Sequence, residues 1–103
     1  MQLSRTEAVR AALAATNGVS GQATVGISAA SLDSASTATA FHGIAVKALT
    51  SNTDTVFVGI GSITTGTGLE LNPGEGVTFE YNSLANIYGI SDTAAQKVSY
   101  ILT

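Results

Sequence analysis

The sequence predicts an all-β protein, an antiparallel β-sandwich or jelly-roll-like barrel with a short N-terminal α-helix or arm. Three observations carry that expectation. Apolar residues alternate at period two through short runs, as in Val56, Val58 and Ile60 and again in Val77, Phe79 and Tyr81. Turn signals recur at roughly the 8–12-residue spacing of sandwiches and barrels. Nothing between the runs is long or periodic enough to be a crossover helix, so the sheets should be mostly antiparallel.

In chain order, residues 3–16 are the one helical candidate. Ser4 is placed as N-cap with Glu7 three residues later, as in a capping box. Val9, Ala12, Leu13 and Thr16 follow the spacing of one helix face. Asn17-Gly18 ends it, glycine being the usual residue where a helix turns left-handed. The apolar stripe is thin and a helix of this length is marginal alone in water, so it must lean on something. The chain thus divides into a helix or arm, residues 1–18, and a β-sandwich domain, residues 19–103.

Residues 22–30 set Ala23, Val25 and Ile27 against Thr24, Gly26 and Ser28, the pattern of a strand with one small-residue face. Residues 31–40 are almost all Ser, Ala and Thr and read as a loop or an edge strand. Residues 41–49 return to strand character, with Ile44, Val46 and Ala48 on one face. Residues 54–81 are the organising stretch: strand, glycine-rich excursion, tight turn, strand, read as one paired β unit. Within it, Asn72-Pro73-Gly74-Glu75 is a strong type II turn signal, proline presetting the first central position and glycine accepting the positive φ of the second. Residues 85–90 and 97–102 complete about six or seven strands, the last alternating Val98, Tyr100 and Leu102 against Ser99 and Ile101.

Composition limits the function. A chain of 103 residues is one domain, and buries roughly two-thirds of its unfolded surface, enough for a core without staples. It has no cysteine, which removes disulfides and thiolate–metal sites. Charged residues are only 11% of the chain, so Ser, Thr, Asn and Gly supply most of the wet surface and little charge keeps copies apart. Arg5, Arg10, Lys47 and Lys97 are the only cations and are scattered, which argues against nucleic acid, whose binding needs clustered cations. No run approaches the ~20 apolar residues of a membrane span, and no targeting segment is evident.

No chemistry-bearing constellation stands out. Gly59, Gly61, Gly66 and Gly68 feed Leu69 and a turn, not a helix N-terminus, and no Lys or Arg lies nearby in sequence; a β connection is expected, not a phosphate loop. His42 is the sole histidine, and no spacing gives it metal-ligand company. Asp33, Asp54 and Asp92 sit in turn contexts, where aspartate bonds nearby amides. No nucleophile-elbow motif is present. Neither an enzyme nor a cofactor is expected. Tyr81, Tyr88 and Tyr100 alternate with polar residues and read as core or interface before ligand platform.

Several of these segments resemble a pattern in small virion proteins of tailed bacteriophages: residues 55–59 (TVFVG), 63–65 (ITT), 68–75 (GLELNPGE), then Val77 and Phe79, residues 87–90 (IYGI) and 98–102 (VSYIL). The resemblance covers about half the chain and carries no catalytic signature. It implies a capsid decoration (cement) protein, bound to the outside of a phage head and holding capsomers together, with the major capsid protein as partner and a homotrimer as the closed assembly. Residues 1–18 would then supply the shell contact or a subunit swap, with Leu3, Val9 and Leu13 as the contacting side chains. A tail or head-fibre component with a receptor-binding or adhesion role is the alternative it implies.

Overall fold

The computed structural model describes residues 19–103, and there the alternation resolves into strands with one buried and one outward face. Ile44, Val46 and Ala48 point inward from one strand and Val56 and Val58 from the next. Eight strands form: β1 (Ser20–Val25), β2 (Ala30–Ser31), β3 (Ile44–Ala48), β4 (Val56–Ile60), β5 (Leu69–Leu71), β6 (Gly76–Phe79), β7 (Ile87–Ser91) and β8 (Gln96–Leu102). A single 3-10 turn, Leu84–Asn86, precedes β7.

The strands make two four-stranded sheets, β1-β8-β3-β6 (sheet A) and β2-β7-β4-β5 (sheet B). Every pairing is antiparallel. A half-apolar sheet must cover its apolar face, and here each sheet covers the other. The chain changes sheet at every connection but β4–β5, so the sandwich is wound up strand by strand. Eight strands wound this way between two sheets are a jelly roll, one of the two arrangements expected from the sequence.

The core lies between the sheets. Ile44, Val46, Val98 and Leu102 meet Val56, Val58, Leu71 and Ile87 across it. Leu84 is wholly buried, carried inward by the 3-10 turn. Burying a side chain of that size contributes roughly 1.5–3 kcal/mol. Tyr81 and Tyr100 pack against this core, in keeping with the reading of alternating tyrosines as core.

Several expectations need correction. The stretch 54–81 is not one paired unit. β4 pairs with β5 and β7, whereas β6 pairs with β3 in the other sheet. The turn does form: Glu75 N–H donates to Asn72 C=O at 2.9 Å, and Gly74 has φ +89°. It carries the chain between sheets, and is anchored to sheet A where Gly74 N–H donates to Ala48 C=O and Ala48 N–H to Glu75 C=O, each at 2.9 Å. β5 was hidden because three residues are too few to show a period. The strand expected over residues 22–30 ends at Val25, and Ile27 is 67% exposed, because β1 leaves sheet A there and Gly26 C=O accepts from Ser91 of sheet B at 2.9 Å. The featureless stretch 31–40 is a short edge strand followed by a loop, yet it delivers Leu32 and Ala40 to the core.

The helix expected over residues 3–16, with Ser4 and the contact residues Leu3, Val9 and Leu13, lies outside the described residues.

Candidate partner interface

Two polar side chains among the described residues, Ser91 and Gln96, are buried in the sandwich. Gln96 is 4% exposed and makes four hydrogen bonds. Its Oε1 accepts from Thr53 N–H at 2.9 Å and Asp54 N–H at 3.0 Å, and its Nε2 donates to Thr53 Oγ1 at 3.1 Å and Ala94 C=O at 3.2 Å. Ser91 Oγ donates to Thr55 C=O at 2.7 Å. These bonds tie the β3–β4 loop to the β7–β8 loop at one end of the sandwich. Among the described residues no buried side-chain polar atom lacks a partner. A satisfied network of this kind holds the two loops together.

Asp54 closes the same knot at the surface. Thr93 Oγ1 donates to its Oδ2 at 2.6 Å and Thr55 N–H to its Oδ1 at 2.7 Å. The Thr93 bond first, then the Thr55 bond, hold its carboxyl below the usual carboxylate range. A carboxyl whose pKa is lower folded than unfolded contributes stability that is complete above the unfolded value and is lost as pH falls through the folded one. Denaturation midpoints are therefore expected to hold down to about pH 5 and to fall below about pH 4, less steeply in Asp54→Asn. Equal slopes for the two proteins would contradict the assignment.

The remaining sequence candidates are dispersed. His42 is exposed, its ring edge-on to Phe41 at 4.8 Å between centroids. Asp33 Oδ1 accepts from Ala35 N–H at 3.3 Å, the turn role expected of it. Among the described residues no group of three or more His, Cys, Asp or Glu is placed to hold a metal ion. No helix among them is long and apolar enough to cross a membrane.

The glycine-rich excursion folds back over the outer face of sheet B. Ile63 is 8% exposed there. A Cβ on Gly59 would lie 2.8 Å from Ile63 Cγ2, and one on Gly68 2.8 Å from Phe57 Cβ and 3.0 Å from Ile63 Cδ1. Those glycines are the clearance that lets Ile63 settle on the sheet. Thr64 and Thr67 brace the loop: Thr64 N–H donates to Thr67 Oγ1 at 2.9 Å, and Gly68 N–H to Thr64 C=O at 2.9 Å. The amides of Thr64, Gly66, Thr67 and Gly68 are all spent on bonds inside the loop.

Sheet A, by contrast, presents an open outer face. Ser20, Gln22 and Thr24 of β1 lie beside Ile101, Ser99 and Lys97 of β8; Ala45 and Lys47 of β3 follow, then Thr78 and Gly76 of β6. Most of these side chains are small. A shallow groove of about 480 Å³ runs over Ala45, Gly76 and Ser99, flanked by Lys47, Thr78 and Ile101. Ile101 is 49% exposed, a large apolar side chain at one end of the face.

Charge is sorted across the fold. Residues 19–103 hold two lysines, Lys47 and Lys97, and six acids. Both lysines stand on this outer face, on neighbouring strands. No acid lies on a strand of sheet A, although Glu75 and Glu80 flank the two ends of β6. Glu70 is on β5 of sheet B, and Asp33, Asp54 and Asp92 are in loops. Sequence order had scattered the lysines; antiparallel pairing of β3 with β8 brings them together.

A second depression, about 270 Å³, is lined by Phe41, His42, Glu80, Tyr81 and Asn82 at the edge of the sandwich. Of the three tyrosines weighed as ligand contacts, Tyr81 alone borders it; Tyr88 is half-buried on the outer side of sheet B and Tyr100 is packed on the core.

No protein-family model, curated protein or solved structure matches this chain. Function must be read from the surfaces themselves.

Proposed function

We propose that this chain is a non-catalytic structural protein that docks on a larger assembly through the outer face of sheet A, and that the assembly is a phage head, where it acts as a capsid decoration protein against the major capsid protein. The observation that carries the proposal is the sorting of charge: both lysines of the sandwich sit on one smooth, small-residue face, and its acids lie off it. Such a face fits a broad, gently contoured, acidic surface better than it fits a small molecule, which calls for a deep pocket with converging polar groups.

Size sets the mode of attachment. Four strands about 4.8 Å apart and about five residues long at 3.3 Å each give a face of roughly 300 Å². A standard specific interface buries about 800 Å² per partner, so one copy alone would hold weakly. Copies linked into an oligomer hold by effective concentration instead, and by bridging neighbouring capsomers such a layer would resist pressure from within. The homotrimer that the bacteriophage resemblance implies is one such assembly. The attachment expected from Leu3, Val9 and Leu13 belongs to the same proposal and is separable from the face by deleting residues 1–18.

The tail or fibre reading has one observation in its favour, the depression beside Phe41, His42 and Glu80, where an exposed ring adjoins polar groups as a glycan would require. The two readings part on copy number. Co-sedimentation with intact particles and quantitation of the bound chain is expected to give hundreds of copies per particle; a few to a few dozen would favour the tail, and none would overturn both.

A further inference from the structure

We infer that the edge of β1 that no described strand covers is a self-association surface, on which a second copy of this chain pairs its own β1 antiparallel across a two-fold axis at Gln22. The edge can be located from the hydrogen bonds. Leu102 N–H donates to Val19 C=O at 3.0 Å, and Ser20 stands opposite Ile101. Bonding alternates along an antiparallel ladder, so residues 19, 21, 23 and 25 bond to β8, and the N–H and C=O of Ser20, Gln22 and Thr24 point to the other side. No described strand covers them there.

The four sheet edges are not alike. β2 has two residues, and β5 has three, one of them Glu70. β6 has four, bounded by Glu75 and Glu80. Short edges and edge charges are the usual guards against unwanted pairing. β1 has six residues, Ser-Gly-Gln-Ala-Thr-Val, with no charge and no proline, and none of the guards its counterparts carry.

The occupant follows from the row itself. A two-fold at Gln22 sets Ser20 opposite the partner's Thr24, Gln22 opposite the partner's Gln22 and Thr24 opposite the partner's Ser20. All are uncharged and capable of hydrogen bonding, and about six main-chain bonds form. A foreign strand would be selected by pockets for its alternate side chains, and neither of the depressions described above is lined by a β1 residue. The pairing itself requires no shell. If the proposed docking face is correct, it joins two copies of sheet A into an eight-stranded face of roughly 600 Å², closer to a standard interface. It also links any three-fold rings to one another without replacing them.

The test uses the full chain, whose lack of cysteine makes a single introduced thiol unambiguous. Gln22→Cys is expected to oxidise to a covalent dimer, while Glu70→Cys, exposed on β5 of the far sheet, does not. Gln22→Lys sets two ammonium groups face to face at the axis and is expected to halve the mass measured by light scattering, with an unchanged circular dichroism spectrum because Gln22 is exposed. Amide exchange at Ser20, Gln22 and Thr24 should slow as concentration rises. A Gln22→Lys protein of unaltered mass, or no Gln22→Cys cross-link with exchange independent of concentration, overturns the inference. Either would place another occupant, such as residues 1–18, on the edge or leave it bare. Particle binding can survive these outcomes, so the docking proposal stands or falls separately.

Discussion

Replacing Gln96 with alanine is expected to lower the unfolding free energy by about 2–4 kcal/mol. The change removes four hydrogen bonds from a side chain that is 4% exposed. The amides of Thr53 and Asp54 are then left facing a void without their acceptor, and an unsatisfied buried donor costs more than a lost bond returns. Thr53→Ala, which removes one partner of Nε2, should cost about 1 kcal/mol. Gln96→Glu separates the contributions further. It keeps the acceptor for the two amides but loses the donor to Thr53 and Ala94, and it buries a charge near Asp54. It should be destabilised at neutral pH and partly recover as its carboxyl protonates. Equilibrium urea unfolding of the three variants checks the order. A Gln96→Ala protein within about 0.5 kcal/mol of the parent, the usual range for a surface change, would contradict the role given to this knot.

Reversing the charge of both lysines on the docking face, Lys47→Glu with Lys97→Glu, is expected to abolish particle binding while leaving the fold intact. Both side chains are exposed and paired with no buried group, so stability should move by no more than about 0.5 kcal/mol. Each reversal turns an attraction to an acidic partner into a repulsion. A loss of about 1.4 kcal/mol is tenfold in affinity, and in a linked array it is multiplied over the copies. Raising salt should weaken the parent's binding in the same direction, since contacts between exposed charges are screened. Glu70→Lys, on the opposite sheet, serves as the control and should bind as the parent does. Equal loss in the control would mean that net charge, not this face, governs attachment.

How much of this was legible in the sequence depends on the length of each signal. Strands were readable where apolar residues recur at period two, most plainly in β3, β4, β6 and β8, because that pattern suits a half-buried strand. The turn at Asn72-Pro73-Gly74-Glu75 was readable because its geometry demands those residue types. Pairing was not. A tight turn between two strands ordinarily makes a hairpin, and only the global winding decides that β5 and β6 part to different sheets here. Leu32 and Leu84 were missed for a related reason: a single core residue in a loop or a 3-10 turn has no period to reveal it. The charge-sorted face of sheet A was not visible in the sequence, because Lys47 and Lys97 are fifty residues apart and become neighbours only through the β3–β8 register. Gly59 and Gly68 could have been read as clearance for a bulky neighbour, but sequence alone does not say that the neighbour is Ile63.

Imaging of intact particles at a resolution that traces strands tests the central claim most directly. The account predicts this sandwich on the outside of the head in hundreds of copies, sheet A turned to the shell with Lys47 and Lys97 against acidic residues of the capsid protein. Particles that lack the chain, or that carry it with sheet B against the shell and sheet A bare, would contradict it.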